Sequence, residues 1–262
     1  MTLNSREPFR RFPISTAIGF AMALGIASCT AAKPDNPNLG PLAAEKYFLL
    51  GERLADEGRA HEAIDAYHAA IRAAPDFSMA YYDLGNQYAK LGRFEPAISA
   101  YKRAIQKDST MIKAYNNLGL AYTANGEASK AIVVLRRATG MNPNYARAWN
   151  SLGSAYDANG DHSKAILTFK QAIEIDPGYG DAYNNLGVAY ANLALFREAE
   201  DAYQRALRIR PDDINAIFNL GQLYAALGET GKAEEQLLIL EPADPWKADA
   251  LRKAISRGIP IR

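Results

Sequence analysis

The sequence is poor in the residues that build disulfides and metal sites. Among 262 residues it has one cysteine and three histidines, and it therefore cannot form a disulfide within the chain. His61 and His68 lie seven residues apart and His162 is distant from both, which argues against a three-ligand metal site. There is also no nucleophile–base motif and no glycine-rich phosphate loop. We therefore expect no enzymatic activity, no metal and no cofactor.

Net charge and long apolar runs are also lacking. The chain has 30 basic and 29 acidic residues, which gives no electrostatic reason to expect a nucleic-acid partner. The apolar run over residues 14–26 spans thirteen residues, whereas a membrane-spanning helix needs about 20. Removal of residues 1–28 would take away three arginines and one glutamate, leaving 27 basic and 28 acidic residues.

The first 28 residues have the layout of a secretory signal peptide. Three arginines precede the short apolar run, and small residues follow it. The next four-residue motif, Ile26-Ala27-Ser28-Cys29, resembles the lipobox of bacterial lipoproteins, in which the cysteine is lipidated and becomes the new N-terminus. The alternative is an ordinary cleavage site beside a chance cysteine.

The lipobox resemblance implies a location and a domain order. Cys29 would carry acyl chains that anchor the protein to a membrane, and residues 29–43, which contain three prolines, would form the lipidated N-terminus and a tether. Because Thr30 replaces the aspartate of a retention signal, the resemblance implies the periplasmic face of the outer membrane. In an organism with a single membrane, the same signal would place the protein outside the cell.

The rest of the chain repeats every 34 residues. The dipeptide Leu-Gly recurs without a break at residues 50–51, 84–85, 118–119, 152–153, 186–187 and 220–221. With its recurrent aromatic residues, alanines and prolines, the pattern resembles the tetratricopeptide repeat. It predicts six units, at 44–77, 78–111, 112–145, 146–179, 180–213 and 214–247, followed by a capping helix and tail over 246–262. The resemblance implies an all-α fold, a right-handed superhelical solenoid of six helical hairpins plus the C-terminal capping helix.

Recurrent small residues indicate how each unit is built. The glycine of Leu-Gly allows the two helices of a unit to approach closely, and a second glycine seven residues later suits a left-handed turn. Ala194 replaces that second glycine in one unit, which predicts strain or a longer helix. Ser109 replaces a unit-closing proline, which predicts that the preceding helix runs on slightly, and Pro242 should shorten the last second helix. In the capping helix, the side chains predicted to face inward are those of Trp246, Ala250, Leu251, Ala254 and Ile255.

Polar residues are expected on the concave side formed by the first helices. Helical spacing places one set of side chains on this face: Asn86, Lys113, Asn116, Asn117, Arg147, Asn150, Asn184, Asn185, Asn215 and Asn219. An asparagine amide both donates and accepts, so it can bind a peptide backbone of any sequence. We therefore predict a groove for a protein or an extended peptide rather than for a small molecule.

Two known binding surfaces resemble this set. The asparagines resemble the ladder in the repeat domain of O-linked N-acetylglucosamine transferases, although Asp83 and Ser151 interrupt it and the chain has no room for that enzyme's catalytic region. Asn86, Asn117 and Arg147 also match a carboxylate clamp, but Tyr82 and Ser151 stand where that clamp has basic residues. Alternatively, Asn-Asn-Leu-Gly is simply common in repeats of this kind.

These patterns favour a membrane-tethered adaptor that binds a partner polypeptide in its groove. The layout is similar to that of the six-repeat lipoprotein pilotins, which act in pilus secretin assembly. Two alternatives remain open: a recognition subunit of an envelope enzyme whose catalysis is supplied in trans, and a scaffold that associates with itself.

Overall fold

The computed structural model describes residues 40–257, and all its regular structure is helical. The thirteen helices of this part are α1 (Pro41–Asp56), α2 (Ala60–Ala73), α3 (Ser78–Lys90), α4 (Phe94–Lys107), α5 (Ile112–Ala124), α6 (Ala128–Met141), α7 (Ala146–Ala158), α8 (His162–Ile175), α9 (Gly180–Asn192), α10 (Phe196–Ile209), α11 (Ile214–Leu227), α12 (Thr230–Ala243) and α13 (Pro245–Arg257). The predicted signal peptide and Cys29 lie outside the described residues. α1 begins inside the predicted tether, because Pro41 suits the first position of a helix.

Consecutive helices pack as hairpins, from α1 with α2 to α11 with α12. The odd-numbered helices α1 to α11 also contact the next odd-numbered helix, whereas the Cα atoms of even-numbered helices in the described residues stay more than 8 Å from one another. Side chains still meet there, since the Lys232 Nζ of α12 lies 3.8 Å from the Glu200 Oε1 of α10. The odd-numbered helices therefore form an inner layer on the shorter, concave side, and the even-numbered helices form an outer layer. This arrangement confirms the predicted all-α fold of stacked hairpins. Within the described chain, no helix has the length and apolarity to cross a bilayer.

Close packing within the first five hairpins requires the glycine of Leu-Gly. A Cβ added to Gly51 would lie 2.6 Å from the Tyr67 ring, and one added to Gly119 would lie 2.3 Å from Leu135. Such distances are far below van der Waals contact, so any other residue there would force the packed side chain of the neighbouring helix to move. The prediction of close approach at this position is therefore confirmed.

The turn inside each hairpin is left-handed, as predicted. The glycines there have φ between 70° and 81°, and Ala194 adopts the same conformation with φ of 57°. α9 ends at Asn192, two residues before Ala194, just as α7 ends two residues before Gly160. Ala194 therefore accepts the strain, on the order of 1 kcal/mol, and the helix is not lengthened.

Two predictions about helix ends were wrong. Without a proline, α4 still ends at Lys107, because the Asp108 Oδ1 accepts hydrogen bonds from the backbone N–H (2.9 Å) and the hydroxyl (2.6 Å) of Thr110 and closes the turn. In α12, Pro242 does not shorten the helix, which continues to Ala243. A proline in the last turn removes only one backbone donor, so the helix can run past it.

α13 covers the end of the inner layer by packing on α11 and α12. Ala248 and Leu251 are buried, and Leu251 fills the space against Gly221, 2.6 Å from a Cβ placed there. Ala254 and Ile255 are partly buried against the same cluster. The prediction was wrong for Trp246, which is 88% exposed, and for Ala250, which is also exposed. The buried positions are spaced three and four residues apart, and neither of these two residues falls on that face.

Candidate functional site

Asparagine side chains join neighbouring helices of the inner layer. The Nδ2 of Asn185 on α9 donates to the Oδ1 of Asn150 on α7 at 3.1 Å. One hairpin further along, the Nδ2 of Asn219 on α11 donates to the Oδ1 of Asn184 on α9 at 2.9 Å. These bonds link residues 35 positions apart, and together they form an amide ladder across three hairpins.

The ladder is interrupted and then continues in the first half of the inner layer. The Nδ2 of Asn117 on α5 donates to the Oδ1 of Asn86 on α3 at 2.9 Å. Among the described residues no amide bond joins α5 to α7, where Ser151 is buried and its hydroxyl donates to the Arg147 carbonyl at 3.0 Å. The predicted interruption at Ser151 is thus present in the structure.

Mutual bonding leaves part of the amides available along α9 and α11. An asparagine side chain has two N–H donors and an oxygen with two lone pairs, and the cross-helix bonds of Asn185 and Asn219 each use only one donor. By contrast, both donors of Asn117 are used, on the Asn86 Oδ1 at 2.9 Å and the Tyr82 hydroxyl at 3.2 Å. Each cross-helix bond also restricts the rotation of both amides, which lowers the entropy lost when a ligand binds. The sequence predicted amides on this face, but it did not predict that they bond to each other.

Asn116 does not belong to the accessible face. Its side chain is fully buried, its Nδ2 donates to the Oδ1 of Asn117 at 3.2 Å, and its Oδ1 has no partner within the described residues. Asn116 can therefore act on a ligand only by orienting Asn117. By contrast, Lys113, Arg147 and Asn215 are exposed.

A second polar cluster surrounds Asp83 on α3. The Nδ2 of Asn86 donates to the Asp83 Oδ1 at 3.0 Å, and the Tyr101 hydroxyl donates to the Asn86 Oδ1 at 2.9 Å. Burial raises the pKa of Asp83 to about 6, although the Asn86 hydrogen bond acts in the opposite direction. Burial also raises the pKa of Tyr101 above its usual value. At the sequence level Asp83 was only an interruption of the asparagines, and its burial could not be read from its spacing.

A cavity of about 410 Å³ opens beside this cluster. Asn86 and Asn117 line it on one side with Tyr101, and the remainder is apolar, from Ala89, Phe94, Leu120, Ala121 and Ala124. Leu120 is 42% exposed. Fixed amides beside an apolar cavity suit an extended peptide, whose backbone hydrogen-bonds while one side chain is buried.

The histidines occupy separate environments. The His68 Nε2 lies 3.1 Å from the Tyr88 hydroxyl, and burial lowers the pKa of His68. The His162 Nδ1 lies 2.7 Å from the Asp157 Oδ1. Over residues 40–257, no cluster of three or more histidine, cysteine, aspartate or glutamate side chains could hold a metal ion.

Comparison with known proteins identifies relatives of the fold. Residues 15–250 match the family model described as "Cilia and flagella-associated protein 70 C-terminal domain", a tetratricopeptide-repeat model. No curated protein sequence matches the chain.

Solved structures include similar repeat proteins. The chain is 33% identical to the MamA protein, with 64% of this chain and 92% of that chain covered and a TM-score of 0.57. It is 25% identical to YrrB, described as a TPR protein with an unusual peptide-binding site, with 66% and 90% covered and a TM-score of 0.54. The type IV pilus biogenesis factor PilW is 14% identical, with 80% and 98% covered and a TM-score of 0.71, which shows a shared fold alone.

Proposed function

Because this chain belongs to the tetratricopeptide-repeat family whose model spans residues 15–250, we propose that it is a scaffold that binds an extended segment of a partner polypeptide along its inner layer. Folds of this family generally serve protein–protein interaction rather than catalysis. The observation that carries the proposal is the amide ladder, which holds backbone-binding groups along one face. The similarity to YrrB, a protein described as having a peptide-binding site, supports the same function.

The cavity beside Asn117 provides the best place to test binding. A photoreactive amino acid in place of Leu120, which borders this cavity, should crosslink a partner polypeptide when living cells are irradiated. The matched control carries the same amino acid in place of Gln171 on the outer layer. Mass spectrometry of the adducts should give a defined peptide from the first variant alone. Adducts that arise only from the outer position would contradict an inner-layer site.

The proposed scaffold is held at a membrane by lipid on Cys29, which follows the lipobox-like motif at 26–29. Several acyl chains on one residue give stable anchoring, whereas a single chain binds only marginally. The corresponding location is the periplasmic face of the outer membrane.

Metabolic labelling with an acyl-chain analogue tests this anchor. The natural chain should incorporate the label and sediment with membranes, and Cys29→Ala should abolish both properties. Label that persists in the variant, or that never enters the natural chain, would show that Cys29 is not lipidated.

The proposed biological role of the scaffold is to help assemble a protein complex of the cell envelope, of the pilus–secretin type. Its support is the fold shared with PilW, described as a type IV pilus biogenesis factor, together with the lipobox-like motif. Deletion of the gene should reduce secretin multimers in the envelope, measured by immunoblotting of unheated membranes. Normal multimers in the deletion strain would remove this role and leave the scaffold proposal intact.

A further inference from the structure

The outer-layer helices differ strongly in charge. α6 has three basic residues and no acidic one, whereas α12 has three acidic residues and one basic one. Both helices have 14 residues. Lys232 of α12 pairs with Glu200 of the neighbouring outer helix α10 at 3.8 Å. The other charges of α6 and α12 form no ion pair with another outer-layer helix of the described chain, so they do not serve packing between hairpins.

Exposed apolar residues accompany both sets of charge. On α6, Val133 is 70% exposed and stands beside the exposed Arg136 and Arg137. On α12, Leu238 is 68% exposed and stands beside the exposed Glu234 and Glu235. Apolar side chains next to charged ones are typical of a protein–protein interface with a polar rim.

The two helices are complementary when aligned antiparallel with their ends flush. In this alignment Val133 faces Leu238. The basic pair Arg136 and Arg137 then faces the acidic pair Glu235 and Glu234, in that order.

The same alignment brings two glycines together near one end of the helices. Gly140 of α6 faces Gly231 of α12, and a Cβ added to either would have open space around it. With no side chain at either position, the two backbones can approach closely.

We propose that α6 of one copy of the chain packs antiparallel against α12 of a second copy. The contact uses two different surfaces, so it is heterologous and produces either a closed ring or an open chain of subunits. It leaves the inner layer free, and it goes beyond the proposed binding of a partner polypeptide there.

The strength of the contact is set by a small apolar centre and two charge pairs. Arg137 is already oriented, since its Nε donates to the Tyr115 hydroxyl at 3.2 Å and its guanidinium lies over that ring. A third match, Lys130 with Glu241, adds little because each is already paired in its own chain, with Glu127 and Arg252. A single helix pair is smaller than a standard interface, so association should be weak and depend on concentration and salt.

α8 is a poorer match for α12 than α6 is. It also exposes Leu167, but Gln171 stands at the position of Arg137, and Glu174 stands at the position of Gly140. The α8 surface would therefore lose one charge pair and the close approach of the backbones.

Sedimentation equilibrium of the full chain in a non-ionic detergent tests the contact by charge reversal. Arg136→Glu with Arg137→Glu should raise the dissociation constant about tenfold or more, and so should Glu234→Arg with Glu235→Arg, because each places like charges opposite one another. All four changes in one chain should restore association. Such rescue cannot arise from misfolding, since it adds substitutions to a variant already changed.

The matched control is Lys102→Glu with Arg103→Glu on α4, which makes the same change of net charge at the same position of another hairpin. Ser99 replaces the exposed apolar residue there, and the dissociation constant should stay within about twofold of that of the natural chain. A monomer at all concentrations, or equal weakening by both basic-pair variants, would overturn the proposal. So would binding of the natural chain to vesicles of anionic lipid without self-association, because the basic surface would then belong to a membrane.

Disulfide trapping supplies an independent readout. Two differently tagged full chains, both carrying Cys29→Ser, are mixed, one with Val133→Cys and the other with Leu238→Cys. A mixed disulfide should form between the two tags, and replacing Val133→Cys with Asp65→Cys, at the equivalent position of α2, should abolish it. Equal trapping at both positions would indicate random collision and contradict the assigned contact.

Discussion

The inner and outer layers are built from helices of similar length, but they are constrained differently. Each inner helix contacts its own partner and at least one other inner helix, and amides from α3 to α11 form three bonds across hairpins. The backbones of the outer helices in the described chain do not meet, and the ion pair of Lys232 with Glu200 at 3.8 Å joins α12 to α10 by side chains alone. Residue choice is therefore restricted in the inner layer by packing and hydrogen bonding, whereas charge on the outer layer can vary from one hairpin to the next. This freedom explains why the charged residues of α6 are all basic and those of α12 are mostly acidic.

The largest expected change in the free energy of unfolding comes from a cavity between α13 and the end of the inner layer. Leu251→Ala should lower the free energy of unfolding by about 3 kcal/mol, because the side chain is fully buried against α11. Trp246→Ala on the same helix should change it by less than about 0.5 kcal/mol, because Trp246 is largely exposed. Urea denaturation of both variants measures the difference. A large loss from Trp246→Ala would mean that α13 packs on its other face.

The same substitution, glycine to alanine, should change the free energy of unfolding in opposite directions in the two layers. Gly119→Ala should destabilise the protein by about 2 kcal/mol, because the new Cβ would meet Leu135 at 2.3 Å. Gly140→Ala on α6 should stabilise it by roughly 0.5–1 kcal/mol, since the site is open and alanine favours a helix. Thermal and urea denaturation would show this, and equal effects of both changes would contradict the difference in packing between the layers.

The sequence predicted the inner layer better than the ends of the helices. The 34-residue period placed the hairpins and identified Gly119, because a strict spacing reflects contacts that every hairpin shares. The period failed at Ser109 and Pro242, where the end of a helix depends on contacts within a single hairpin. At Ser109 the Asp108 side chain closes the turn without a proline. At Pro242 the last turn of the helix tolerates the proline. Trp246 was misplaced because a terminal helix has no following hairpin to fix its buried face.

The site was predictable as a set of polar residues but not as a network. Helical spacing placed Asn117 and Asn185 on one face, and the structure brings them to Asn86 and Asn150. The same rule placed Asn116 there, although it is fully buried. Spacing defines a direction around one helix, whereas burial depends on how the next helix approaches, and that approach is a property of the packed structure.

The smallest expected effect concerns the buried carboxyl of the inner layer. Since burial raises the pKa of Asp83 from 3.8 to about 6, the folded state binds its proton more tightly than the unfolded state does. Its favourable contribution to stability is therefore complete below pH 3.8 and is lost as the pH rises through about 6. Asp83→Asn should consequently stabilise the protein at pH 7 relative to pH 4, by on the order of 1 kcal/mol given its partial exposure.

Urea denaturation of Asp83→Asn and of Asp65→Asn at both pH values compares a carboxyl of the inner layer with one of the outer layer. Asp65 is exposed on α2, and its substitution should change the free energy of unfolding by less than about 0.5 kcal/mol at either pH. The contradicting result is that Asp83→Asn changes the free energy of unfolding by the same amount at pH 4 and at pH 7. That result would mean that the Asp83 carboxylate is as well solvated as a carboxylate on the outer layer. The amide network around Asn86 would then be open to water, and a peptide would have to displace that water to bind there.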